Sequence, residues 1–196
     1  MTEKKSLLQR LTSKFSGVKK RFRRAYVPTN TPEEVTRANE LNTTVPSEYA
    51  HYIFVAGKYD RTDNVGVGSF LILSHETVAE QGAHLYPSYS SEYEVILATI
   101  IEALAAVSLE DRQTENFAVV TTDLNIIKAF NDFTMLAQFG TLPENPTSTD
   151  QLQHELIKLS MTFRSLRMSY TMNHEKRFLD FLNEKTERIL HVYMEQ

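Results

Sequence analysis

The sequence predicts an α/β fold: a mixed five-stranded sheet, three antiparallel strands then parallel ones, with helices on both faces. Three observations predict it. First, the strand-like runs YIFVAG (52–57), VGVGSFLILS (65–74) and TVAEQGAHLY (77–86) are separated by turns too short for a crossover helix. Such runs pair antiparallel. Second, helical and strand-like stretches alternate from residue 91 onward, as they do where parallel strands are joined through helices. Third, Glu94 opens an apolar helix and Asp123 sits just past a buried-looking strand. The ends of those two elements meet at one edge of such a sheet, where α/β folds place their chemistry.

The elements follow in order. In residues 1–26, Leu7, Leu8, Leu11, Phe15, Val18 and Phe22 recur at spacings of three and four among Lys and Arg. That spacing predicts a basic amphipathic helix, weakened by Gly17. Residues 27–50 read as a linker punctuated by Pro28, Pro32 and Pro46. Thr31-Pro32 with Glu34 has the form of a capping box, which predicts a short helix inside the linker. The folded domain is expected over 51–196. After the three strands come a helix at about 91–109, a strand at 117–122 and a helix at 124–133. A Pro-, Thr- and Asn-rich loop at 141–150 precedes a helix at 151–163, a strand at 165–172 and a closing helix at 174–193.

Composition removes several classes of function. There is no cysteine, so disulfides, thiolate metal sites and cysteine nucleophiles are excluded. No apolar run approaches the roughly 18 residues of a membrane span. No signal-peptide core follows the basic start. An intracellular, cytoplasmic setting fits, with organelle targeting by the arm left open.

The net charge of −4 hides an asymmetry. Residues 1–26 carry nine Lys and Arg against Glu3, or +8, while the other 170 residues carry 12 basic and 24 acidic side chains, or −12. A body that acidic repels phosphate, so any attraction for nucleic acid falls to the arm, with Lys19, Lys20, Arg21, Arg23 and Arg24 as its densest cluster. The arm's other readings are an anionic membrane surface, an acidic partner or its own domain, a transit peptide, and a solubilising tail.

Four stretches together resemble the ribonuclease H family over roughly residues 50–196. They are Ala56-Gly57 with the turn 58–65 and Gly66-Val67-Gly68; Ser90-Ser91-Glu92-Tyr93-Glu94; Thr122-Asp123; and Lys176-Arg177-Phe178-Leu179-Asp180-Phe181-Leu182. The resemblance implies a metal site in which Glu94, Asp123 and Asp180 are catalytic carboxylates holding Mg²⁺ or Mn²⁺, with His174 assisting proton transfer. Hard divalent cations prefer oxygen ligands, and a pair of them activates water and stabilises the leaving oxygen in phosphodiester hydrolysis. The family's first catalytic aspartate falls on Ala56, so metal binding is expected to be weak or absent where that ligand is required.

Each acid also has a plain structural reading. Ser91 and Glu94 form a capping box, Asp123 is placed to cap the next helix, and Asp180 is placed to be a solvated helix acid. His174 reads equally as a surface or capping residue. Asp60 shares the alternation of Ala56 but lies four residues on, about 13 Å along an extended strand, too far to replace it without a bulge. Three functions are therefore open. One is a nucleic-acid binder, of RNA/DNA hybrid above all, with a crippled hydrolytic site. The second is an active two-metal nuclease using Glu94, Asp123 and Asp180. The third is a non-catalytic scaffold with a protein partner.

Overall fold

The computed structural model describes residues 32–41, 44–45, 48–170 and 176–194. The basic arm and His174 lie outside the described residues. The sheet has the order β3-β2-β1-β4-β5. Strand β1 (His51–Asp60) pairs antiparallel with β2 (Val65–Ser74), from His51 opposite Ser74 to Asp60 opposite Val65. Strand β2 pairs antiparallel with β3 (Thr77–Tyr86). Parallel pairing begins where β4 (Asn116–Thr121) joins β1, and β5 (Ser165–Tyr170) joins β4 in the same sense. This is the mixed five-stranded sheet that the sequence predicts.

Alternation along β1 divides the core in two. Ile53 and Val55 face one layer, with Phe70, Ile72, Phe117 and Val119 from neighbouring strands. Tyr52, Phe54 and Ala56 face the other, with Leu71, Leu73, Ala118 and Val120. That period of two is what a strand buried on both faces requires.

Helix α2 (Glu92–Ala106) covers the first layer. It is buried nearly all round because helix α6 (Ser148–Ser160) packs on its outer side. Three glycines let α2 approach the sheet. A Cβ on Gly68 would stand 1.7 Å from Thr99 Oγ1, one on Gly66 2.2 Å from Val95 Cγ2, and one on Gly57 2.8 Å from Ile96 Cγ1. The glycines bracketing the hairpin therefore act by absence of bulk, and none has a positive φ.

Helix α7 (Lys176–Met194) covers the second layer. Phe178 stacks on Phe54 with ring centres 4.4 Å apart. Farther along, Ile189 and Leu190 pack on Val65, Val67, Ala83 and Leu85. Between them Ser69 donates to the Leu182 carbonyl at 3.0 Å and lies 2.8 Å from the Thr186 hydroxyl, so the buried hydroxyls are satisfied.

The stretch read as a linker contains helix α1 (Pro32–Glu40). Its Ala38 is fully buried in the α7 layer, and Arg37 pairs with Glu184 at 2.7 Å.

Several boundaries differ from the sequence reading. Strand β1 runs three residues farther, to Asp60, whose Oδ1 accepts from the Thr62 and Asp63 amides and closes the turn. The helix expected at 91–109 ends at Ala106, because Val107 is extended and Ser108 caps a separate short helix, α3 (Leu109–Thr114). Arg112 seals the break by donating to the Val107 and Ala105 carbonyls. The helix expected at 124–133 is α4 (Leu124–Asn131), and Phe133, at φ 58°, separates it from the unforeseen α5 (Thr134–Phe139). Asn131 then bonds both the amide and the carbonyl of Met168, satisfying those edge groups of β5. Helix α6 starts three residues early because Thr147 and Asp150 form a capping box.

The close approach of α2 gives a direct test. Gly68→Ala should destabilise the protein by about 1–3 kcal/mol or more, the range for overpacking a filled core. Adding Thr99→Ala should recover part of that loss, because it removes the atom the new methyl meets. Denaturant unfolding of both single variants and the double variant measures it. Strictly additive losses would contradict the contact.

Candidate functional site

The carboxyl edge of β1 and β4 is the candidate site, bounded by the first turns of α2, α4 and α6. Glu94 lies at the start of α2 and is 3% exposed. Its Oε2 accepts from the Ser90 amide at 2.8 Å and the Ser90 hydroxyl at 2.9 Å. Its Oε1 accepts from the Thr149 hydroxyl at 2.8 Å and from the Ser148 hydroxyl. A carboxylate offers about four lone-pair sites, and protein donors take four. Burial pushes the Glu94 carboxyl up, but the bonds from Ser148, Ser90 and Thr149 outweigh it and hold it below its ordinary range.

Asp123 stands at the end of β4 and caps α4. Its Oδ1 accepts from the Asn125 and Ile126 amides at 2.9 and 3.0 Å. Its charge acts on Tyr93, the residue before Glu94. Burial raises the Tyr93 phenol, the hydrogen bond from Gln153 opposes this, and the Asp123 charge raises it further. The Asp123 charge is thus felt at the first turn of α2. The structure does not bring Asp180 inward: Asp180 is exposed, whereas Phe178, Leu179, Phe181 and Leu182 around it are buried in the sheet-facing layer. Ala56 is buried in that same layer, opposite Ser69, at 5% exposure. Asp60 is occupied in its own turn.

This donor set does not fit a pair of divalent cations. Position 56 offers a methyl group, Glu94 has no lone pair to spare, Asp123 is committed on one oxygen, and Asp180 faces solvent. Among the described residues no three of His, Cys, Asp and Glu gather into a group able to hold a metal ion.

Sequence reasoning had no access to the two donors that matter most. Ser148 and Thr149 lie 54 and 55 positions from Glu94. Their only local signal is the Thr147/Asp150 capping box, which marks where α6 begins but not what its first turn touches.

No family model matches the chain, and no curated protein matches it either. Solved structures do. RNase H1 from the halophilic archaeon Halobacterium salinarum is similar over 70% of this chain and 98% of its own, at 11% identity and a TM-score of 0.52. LC11-RNase H1 in complex with RNA/DNA hybrid is similar over 71% and 99%, at 10% identity and a TM-score of 0.54. The PFV RNase H domain is similar over 71% and 93%, at 9% identity and a TM-score of 0.55. The fold is ribonuclease H-like, as the sheet order and the placing of α2 and α7 already indicated.

The saturation of Glu94 predicts a stability effect with a definite pH sign. Glu94→Gln replaces one acceptor oxygen with a donor that faces hydroxyl or amide groups, so it should cost about 1–3 kcal/mol at neutral pH. The folded carboxyl is held below the ordinary value of 4.5. Its contribution is thus fully present above that value and is lost as pH falls through the lower, folded value. Unfolding curves of both proteins from pH 7 to pH 3 should show the gap closing on acidification. A gap that stays constant or widens would contradict the assignment.

Proposed function

We propose that this chain is a nucleic-acid-binding protein of ribonuclease H-like fold, directed to RNA/DNA hybrids, that does not hydrolyse them. The observation that carries the second half is the Glu94 carboxylate, filled by Ser90, Ser148 and Thr149, in a chain that has alanine at position 56. Phosphodiester hydrolysis by paired cations needs carboxylate oxygens open toward the metals, and here they are turned to helix caps and clamps. The first half is supported by the solved structures of this fold that contain hybrids and by the charge of the arm. The body, at −12, repels phosphate, so Lys19, Lys20, Arg21, Arg23 and Arg24 are the groups expected to hold it.

Fluorescence anisotropy of the full chain with labelled hybrid, duplex DNA and single strands tests this. Affinity should rise steeply as salt falls. Replacing those five cations with Gln should flatten the log–log salt slope by up to about 4.5, at about 0.9 per phosphate contact. Absent or salt-insensitive binding would overturn the binding half. With Mg²⁺ or Mn²⁺, neither the natural chain nor folded Ala56→Asp should cut the hybrid. Cleavage by the natural chain, or its appearance in Ala56→Asp, would show a site with ligands to spare.

A further inference from the structure

We infer that residues 1–26 dock on this chain's own body, in a groove between the β1–β2 hairpin and the last turns of α7. The groove has a volume of about 410 Å³. Tyr59, Leu190 and Met194 supply its apolar lining, while Asp60, Glu92 and Glu187 supply its charge. Lys58 is the one Lys or Arg in that lining, and it pairs with Glu187. The lining therefore mixes apolar side chains with three carboxylates against one Lys, and His191 completes it. The arm is its complement: an apolar stripe of Leu7, Leu8, Leu11, Phe15, Val18 and Phe22 flanked by nine Lys and Arg. Apolar area and opposite charge reinforce one another in such a contact.

Helix α1, which follows the arm in sequence, is tied to the helix that forms one wall of the groove. Arg37 meets Glu184 on α7, and Arg177, seven residues back along that helix, meets the Thr44 carbonyl. From residue 37 to residue 44 the chain thus passes from the middle of α7 toward its start. Glu187, which lines the groove, lies three residues beyond Glu184 on the same helix. Residues 27–31 alone span up to about 17 Å when extended, so reach does not limit the contact. The groove also abuts the carboxyl edge of β1, beside the first turn of α2. An arm seated there lies against the candidate site and is held by the same charges that would otherwise meet phosphate. The inference concerns the chain alone and does not rest on the nucleic-acid reading.

The absence of cysteine makes the test clean. Ser13→Cys places a single thiol on the arm for a nitroxide label in the full chain. At low salt the amide signals of Tyr59, Asp60, Glu92, Leu190 and Met194 should lose more than half their intensity. Those of His75 and Asn116, at the opposite end of the sheet, should keep theirs. In about 1 M salt, where the Debye length is about 3 Å, the lost intensity should largely return. Glu92→Lys, an exposed change, should cut the broadening at least twofold without altering the rest of the spectrum. A mixture of spin-labelled and isotope-labelled chains should show no transfer between molecules. No broadening at low salt, broadening centred elsewhere, indifference to Glu92→Lys, or transfer between molecules would each overturn the inference.

Discussion

Helix α2 lies where it does because β1 and β2 offer its first two turns three positions without side chains. Gly57, Gly66 and Gly68 leave room for Ile96, Val95 and Thr99 at separations that no methyl group would tolerate. That contact fixes the height and direction of α2 over the sheet. It thereby sets Glu94 beneath the first turn of α6. Helix α6 then closes the layer by packing Leu152, Leu156 and Ile157 into the same core. Glu94 joins the two helices at their starts, where exposed amide dipoles favour a negative charge.

The consequence for chemistry follows from counting lone pairs. A carboxylate that is to grip a cation must keep oxygens open, and in a family resemblance built on acids the natural inference is that it does. Here the acid is present, and its oxygens are taken by Ser90, Ser148 and Thr149. Hydrogen bonds to a charged group contribute roughly 1.5–3 kcal/mol each, so releasing Glu94 to a cation would sacrifice several of them together. Ala56 is consistent with this: its methyl group belongs to the α7 layer with Phe178, Phe181 and Leu182. A carboxylate in that place would be desolvated without a cation beside it.

Much of the fold was legible in the residues. Alternation of buried positions along β1, the tight turns, and the apolar run of α2 are local signals, and they gave the mixed sheet and its helices. The break at Val107 has a local signal in Ser108 and Asp111, which form a cap, but it directly follows an apolar run that continues the helical pattern. Phe133 in a left-handed conformation was not legible, since a bulky residue carries no propensity for that region. The site was legible only as a set of acids. Sequence order places Glu94 on a helix start and Asp123 on a helix cap, but nothing local to Glu94 announces hydroxyls more than fifty positions away. Asp180 shows the complementary limit: α7's apolar positions were visible, but the residue between them turns to solvent.

The central claim is that protein donors fill the Glu94 carboxylate. Carbon-13 NMR of selectively labelled glutamate side chains, followed through a Mn²⁺ titration of the natural chain, tests it most directly. The predicted result is a Glu94 carboxyl signal that keeps its width and position while exposed acids broaden together and weakly. Selective, saturable broadening of the Glu94 signal would contradict it, because it would place a cation on oxygens assigned to Ser90, Ser148 and Thr149.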